Sequence, residues 1–249
     1  MRGKFNKTFR TLPALLFWIG VWWAVAVLFG NPLLLPTPGQ VFACLIRLAG
    51  TALFWQITAL SIGRILLGVI TAVVLGAVLG VLTCKSSVAQ ALIAPAMTAM
   101  QATPVASFAI LVLIWLERDW VPVLICGMMV LPMVWSNVSS GIRAVDVQLL
   151  EMAQVYRLSP GRVVLRIYLP AVMPFFRTAC VNALGLGWKA GIAAEVLTVP
   201  KTSIGRMISE SKLYLLTEEL FAWTLTVIVL SLVLQKIMLG LLKGREQNA

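Results

Sequence analysis

The chain reads as an all-α integral membrane protein of about six transmembrane helices with a cytoplasmic loop of two short helices, and three observations predict this. Hydrophobic residues make up 60% of the 249 positions and charged residues only 12%, more apolar surface than a water-soluble core can hide. Apolar runs recur at the roughly 20 residues needed to cross about 30 Å of hydrocarbon, where only helices and closed barrels satisfy the backbone. Cations gather at the ends of these runs, as do several of the nine Trp, whose amphipathic rings favour the membrane interface.

The first run covers about Leu12 to Phe29. Its basic lead-in (Arg2, Lys4, Lys7, Arg10) with Ala24-Val25-Ala26 behind it also fits a signal peptide and cleavage site; we read it as an uncleaved anchor. Asn31-Pro32 and Leu35-Pro36-Thr37-Pro38-Gly39 are breakers that force a loop, with an amphipathic helix expected at about Gln40 to Leu48. The second span is expected at about Ile57 to Cys84, the third at Ala91 to Leu116 and the fourth at Val121 to Val138. Pro95 and Pro104 are expected to kink or split the third at its entry. The fifth runs from about Thr178 to Val199 and the sixth from about Leu220 to Leu242, opened by Glu218-Glu219, since acidic groups favour a helix N-terminus. Glu117-Arg118-Asp119 reads as a solvated outer turn, and 200–218 as a longer loop. Residues 1–249 thus form one membrane domain: an anchor (12–29), an outer loop (31–56), core helices (57–242) and a polar loop (139–172).

Counting cations orients the chain. With the N-terminus inside, the inner segments hold Arg2, Lys4, Lys7, Arg10, Lys85, Arg143, Arg157, Arg162, Arg166, Arg177, Lys243 and Arg245, against Arg47, Arg118, Lys201, Arg206 and Lys212 outside. The positive-inside rule then places both termini and the 139–172 loop in the cytoplasm.

Within that loop, Glu151 to Pro170 is a polar, basic island. Its first half reads as a short helix carrying Glu151, and its second restarts at Ser159-Pro160, with Ser as N-cap and Pro at the first helical position. Two short helices meeting at a turn beside membrane spans make a rigid docking surface. Other chemistry is poorly supplied. Cys44, Cys84, Cys126 and Cys180 show no ligand-like spacing, and the chain has no His, so metal hydrolysis and His-based triads are poorly supported. The net charge of +11 follows membrane topology and lacks the aromatic-interleaved stripe of a nucleic-acid binder. A G-x-x-x-x-G-K-[ST] phosphate loop is missing, so ATP energy would have to come from elsewhere.

The spacing Glu151-x-Ala153, Leu158-Ser159, Ile167-x-Leu169-Pro170 and Pro174 resembles the EAA loop of ABC-importer permeases. Met152 stands where the motif has Ala, and Arg157 where most members have Gly; Gly would permit a positive-φ turn, so Arg157 implies a somewhat different turn, or a side chain aimed at the ATPase. Leu35-Pro36-Thr37-Pro38, Ser61-x-x-Arg64-x-x-x-Gly68 and Trp188-Lys189-Ala190 with Ala194-Glu195 resemble, in order, segments of the nitrate, sulfonate and taurine branch. The resemblance covers most of the chain. It implies a type I importer permease fold in the bacterial inner membrane, with Glu151, Ala153, Arg157, Leu158, Ser159, Leu169 and Pro170 coupling to a cytoplasmic ATPase dimer. It further implies a second permease copy and a periplasmic or lipid-anchored solute-binding protein. This chain itself binds no cofactor, ATP and magnesium being used by the ATPase. The solute would be a small anion such as sulfonate, taurine or nitrate.

Arg64, Lys189 and Glu195 fall inside spans, where a charge costs roughly 2.5–3.5 kcal/mol on insertion scales. They either line a translocation path or form buried pairs that fix helix packing, with Arg64 alternatively snorkelling outward. Six residues separate Lys189 from Glu195, about 120° on a helix, so their partners are expected on other helices or another subunit. Gly76-x-x-x-Gly80 and Gly185, Gly187 and Gly191 allow close helix approach, within the chain or at a dimer seam. Two other functions were weighed. A lipid-acting membrane enzyme needs clustered carboxylates or a nucleophile with its base, and the inner loop offers only Asp146 and Glu151. A stand-alone secondary transporter usually carries internal repeats, which the two halves do not display.

Overall fold

The computed structural model describes residues 2–243, and every described element is a helix. In order these are α1 (Arg2–Phe29), α2 (Pro38–Ala49), α3 (Ala52–Lys85), α4 (Ser87–Ala102), α5 (Val105–Val112), α6 (Val121–Arg143), α7 (Val147–Val155), α8 (Pro160–Val163), α9 (Leu169–Thr198), α10 (Ile204–Leu213) and α11 (Thr217–Lys243). A π-turn, Val164–Tyr168, joins α8 to α9, so Pro160–Thr198 runs as one 39-residue helix. With α3, α6 and α11 this gives four helices long and apolar enough to cross a membrane. The bent pair α4–α5 makes a fifth if counted as one span. Helix α1 is 28 residues long and includes the apolar segment Leu16–Phe29; the side chains of the basic lead-in expected before it lie outside the described residues.

Helices α3, α6 and α9 form the core, and missing side chains set how closely they approach. A Cβ at Gly76 of α3 would lie 2.9 Å from the Leu131 carbonyl oxygen and the Val134 Cβ of α6, and one at Gly80 would lie 2.9 Å from Val138 Cγ1. The Gly76-x-x-x-Gly80 face therefore packs inside the chain. On α9, Gly187 faces Val69 and Val130, and Gly191 faces Ile65 and Cys126. Between them Trp188 is buried, and its Nε1 donates to the Val227 carbonyl of α11 at 3.1 Å.

Three local structures differ from expectation. The third span breaks at its middle, where α4 and α5 meet at 103°. Thr103 is extended (ψ 123°) ahead of Pro104, because a residue before proline is pushed out of the α region, whereas Pro95 stays within α4. The 200–218 loop contains α10, capped by Ser203, whose Oγ accepts from Arg206 N at 3.0 Å. The island's second half is the start of the long helix ending in α9 and not a separate short helix. The amphipathic helix after the first loop is present as α2, with Thr37 and Gln40 forming a reciprocal capping box.

Candidate functional site

The polar island folds into a turn with its own small core. Asp146 caps α7, its Oδ1 accepting from Gln148 N at 2.9 Å. The helix then ends in a Schellman motif: Leu158 N donates to the Ala153 carbonyl at 2.9 Å and Arg157 N to that of Gln154 at 3.0 Å. Such an ending needs a left-handed residue, and Arg157 occupies it at φ 50°. The different turn expected from Arg157 is thus not adopted; the arginine takes the conformation a glycine would. Ala153 is buried with Val145 and Ile167, against Leu150, Leu158 and Val163. A small residue is needed there because the turn closes over it.

Ser159 sits at the N-cap of α8, but its side chain makes no capping bond; its carbonyl instead accepts from Arg162 N and Val163 N at 2.9 and 3.1 Å. Pro170 follows the π-turn directly, and the wider turn accommodates a residue with no N–H to give and a ring that crowds the carbonyl four residues back. Leu169 and Pro170 are exposed, as is Glu151. The turn also exposes Met152, Val155 and Tyr156, the last two at 79% and 73%. Sequence reasoning missed this apolar tip; the signal was the high apolar content of an otherwise polar segment.

The intramembrane charges separate into two places. Arg64 of α3 donates from Nη2 to Asp119 Oδ1 at 2.8 Å and from Nη1 to the Thr202 carbonyl at 2.6 Å, with Glu195 Oε1 at 3.7 Å. Glu195 of α9 is fully buried; its Oε2 accepts from Ser61 Oγ at 2.8 Å and from Gly205 N at 3.2 Å. Ser61 Oγ in turn accepts from Ile204 N at 2.9 Å, so one cluster ties α3, α9, α10 and the turn before α6. Gly205 must be glycine, since a Cβ would overlap the Glu195 backbone. Asp119, expected in a solvated turn, is a member of this cluster. Lys189 stands apart, exposed in a groove of about 560 Å³ between α9 and α11 with Ser231 and Gln235 on its wall.

A bundle of apolar helices of membrane-spanning length, with a closed turn carrying an exposed apolar tip, has the build of a multi-span membrane transport component. Residues 65–244 match the family of binding-protein-dependent transport system inner membrane components, and the chain belongs to that family. It is 27% identical over 222 residues to the taurine transport system permease protein TauC of Escherichia coli, covering 86% of this chain and 80% of that one. To the putative aliphatic sulfonates transport permease protein SsuC of Bacillus subtilis it is 25% identical over 213 residues, covering 85% and 76%. To the nitrate import permease protein NrtB of Leptolyngbya laminosa it is 30% identical over 155 residues, covering 59% and 52%.

Proposed function

We propose that the chain is the membrane subunit of an ATP-driven bacterial importer for a small anionic solute of the sulfonate, taurine or nitrate type. The solute is delivered by a periplasmic or lipid-anchored binding protein, and two copies of the chain enclose one path. Both termini and the α7–α8 turn face the cytoplasm, in keeping with the cation count. Glu151, Ala153, Arg157, Leu158, Ser159, Leu169 and Pro170 build the surface that docks into a dimeric ATPase, which binds the ATP and magnesium. The observation that carries this reading is the Schellman-closed turn with exposed Met152, Val155 and Tyr156 at its tip. A protruding apolar surface on a rigid base is the form of a protein interface.

Of the three charged residues expected in the path, the reading keeps Lys189 there and gives Arg64 and Glu195 the task of holding the outer ends of α3, α9 and α10 together. Purification of the tagged chain in mild detergent tests the assembly: an ABC-type ATPase is expected to co-purify, with its hydrolysis stimulated by one of taurine, an alkanesulfonate or nitrate together with the neighbouring binding protein. Recovery of the chain without any ATPase, under conditions that keep it folded, would sink the reading.

A further inference from the structure

Lys189 has no carboxylate partner among the described residues, and its depth makes this consequential. It lies nine residues from Thr198 at the outer end of α9 and twelve from Arg177 on the inner side, about 14 and 18 Å along the helix axis. A lysine side chain reaches only about 6 Å, too short to carry its ammonium to either interface. Lys236 differs, lying about 28 Å from Thr217 and so close to the inner face. A second copy of the chain brings no compensation either. Of the nine acidic residues in the sequence, Glu218 and Glu219 lie in the first turn of α11 at its outer end, and Glu195, the one deeper in a span, is held by Ser61, Gly205 and Arg64. Lipid contact is excluded by the cost of a bare charge at mid-bilayer. What remains to balance Lys189 is water, or an anion that comes and goes.

The surroundings suit this. The exposed face of α9 carries Asn182, Leu186, Lys189 and Ala193 in a row at helical spacing. On one side of Leu186 lies a hollow of about 340 Å³ where Gln101, Ser136 and Asn137 sit among four methionines, and on the other side of the row is the mainly apolar groove whose polar side chains besides Lys189 are Ser231 and Gln235. Asn137 spends its amide nitrogen on the Met133 carbonyl at 2.8 Å. We propose that this face of α9 is the wall of a water-filled passage and that Lys189 is its anion-selecting residue, favouring small oxyanions over cations. The proposal rests on the permease reading above and deepens it by assigning the charge selection to one side chain of the membrane subunit.

The test needs no knowledge of the natural solute. In a chain whose four native cysteines are replaced by alanine, Ala193→Cys places a thiol one turn from Lys189. Membrane vesicles holding this chain with its ATPase are treated with the anionic reagent sulfonatoethyl methanethiosulfonate and with the cationic trimethylammonioethyl reagent. Both are expected to label the thiol, with an anionic-to-cationic rate ratio about tenfold above that of the same two reagents with a free thiol in solution. Lys189→Gln should lower the anionic-to-cationic rate ratio about tenfold, the effect of removing one charge at roughly 6 Å in water, and Lys189→Arg should retain it. A thiol inert to both reagents, or a ratio unmoved by Lys189→Gln, overturns the proposal; Leu186→Cys serves as the second position if Ala193→Cys does not fold. ATPase co-purification from the same vesicles separates the two readings. An inert thiol beside a bound ATPase removes the passage alone, and a labelled, charge-sensitive thiol without any ATPase removes the importer alone.

Discussion

Glu195 is the residue that ties α9 to both α3 and α10. Its carboxylate accepts from Ser61 and Gly205 and faces Arg64, yet its Oε1 has no hydrogen bond in a site closed to solvent. A buried carboxylate of this kind contributes little net stability, but removing it leaves the Ser61 hydroxyl and the Gly205 N–H without their acceptor and takes a carboxylate from Arg64, which keeps only Asp119. Glu195→Ala should therefore lower stability by about 3–5 kcal/mol, seen as a large drop in melting temperature in detergent. Glu195→Gln keeps an acceptor for Ser61 and Gly205 and should cost clearly less; equal losses for the two would show that the hydrogen bonds are unimportant. Arg157 makes the opposite case. A non-glycine residue in the left-handed region carries a penalty of roughly 1–2 kcal/mol, so Arg157→Gly should raise the melting temperature. If the guanidinium also touches the proposed ATPase, the same variant should lose coupled hydrolysis while becoming more stable. A gain in stability with coupling intact would leave Arg157 as turn strain alone.

At the level of elements, what the sequence made legible followed from local chemistry. The amphipathic helix α2, the restart at Ser159-Pro160 and the apolar lengths of α3 and α6 can all be read from neighbouring residues. What stayed hidden depends on contacts distant in sequence. Helix α10 is too polar for a span and too short for a strong period, and it is positioned by Ile204 and Gly205 donating to Ser61 and Glu195. Asp119 looked like turn solvent because Arg64, its partner, is 55 residues away. The glycine faces are an intermediate case: the spacing announced a close approach without saying to what. Since Gly76 and Gly80 meet α6 of the same chain, Gly76→Leu should push α3 from α6. The expected cost is at least the about 1–3 kcal/mol typical of overpacking, read as a fall in melting temperature or in folded yield. A variant that folds normally but changes only its oligomeric state would move this face to a subunit seam.

On the scale of the whole molecule, one helix joins the two regions described here. From Pro160 beside the docking turn to Thr198 beyond Glu195, the chain is helical for 39 residues, about 58 Å at the usual rise. Its first turns are fixed to the α7–α8 turn through Ile167, and its last turn to α3 and α10 through Glu195. In the proposed importer, a push on the α7–α8 turn would travel along this helix, past the π-turn and Pro174, to the face bearing Lys189 about three-quarters of the way along and then to the cluster at Glu195. Such transmission needs the segment beyond Pro174 to stay stiff, and glycine weakens a helix by about 1 kcal/mol per residue relative to alanine. Inserting Gly-Gly after Arg177, between the turn and Lys189, should leave the docking surface intact, so the proposed ATPase should still co-purify in its normal ratio. Solute uptake should nevertheless fall to a few per cent, because the insertion both softens the rod and rotates its outer half by about 200° at roughly 100° per residue. An Ala-Ala insertion at the same place keeps the stiffness but imposes the same rotation, and Ala183→Gly with Ala179→Gly softens the rod without rotating it. Loss of uptake in the softened but unrotated chain, with ATPase binding preserved, would identify rigidity as the transmitting property. Normal uptake there, with failure of both insertions, would assign transmission to the angular register of α9 and its packing against α3 and α6.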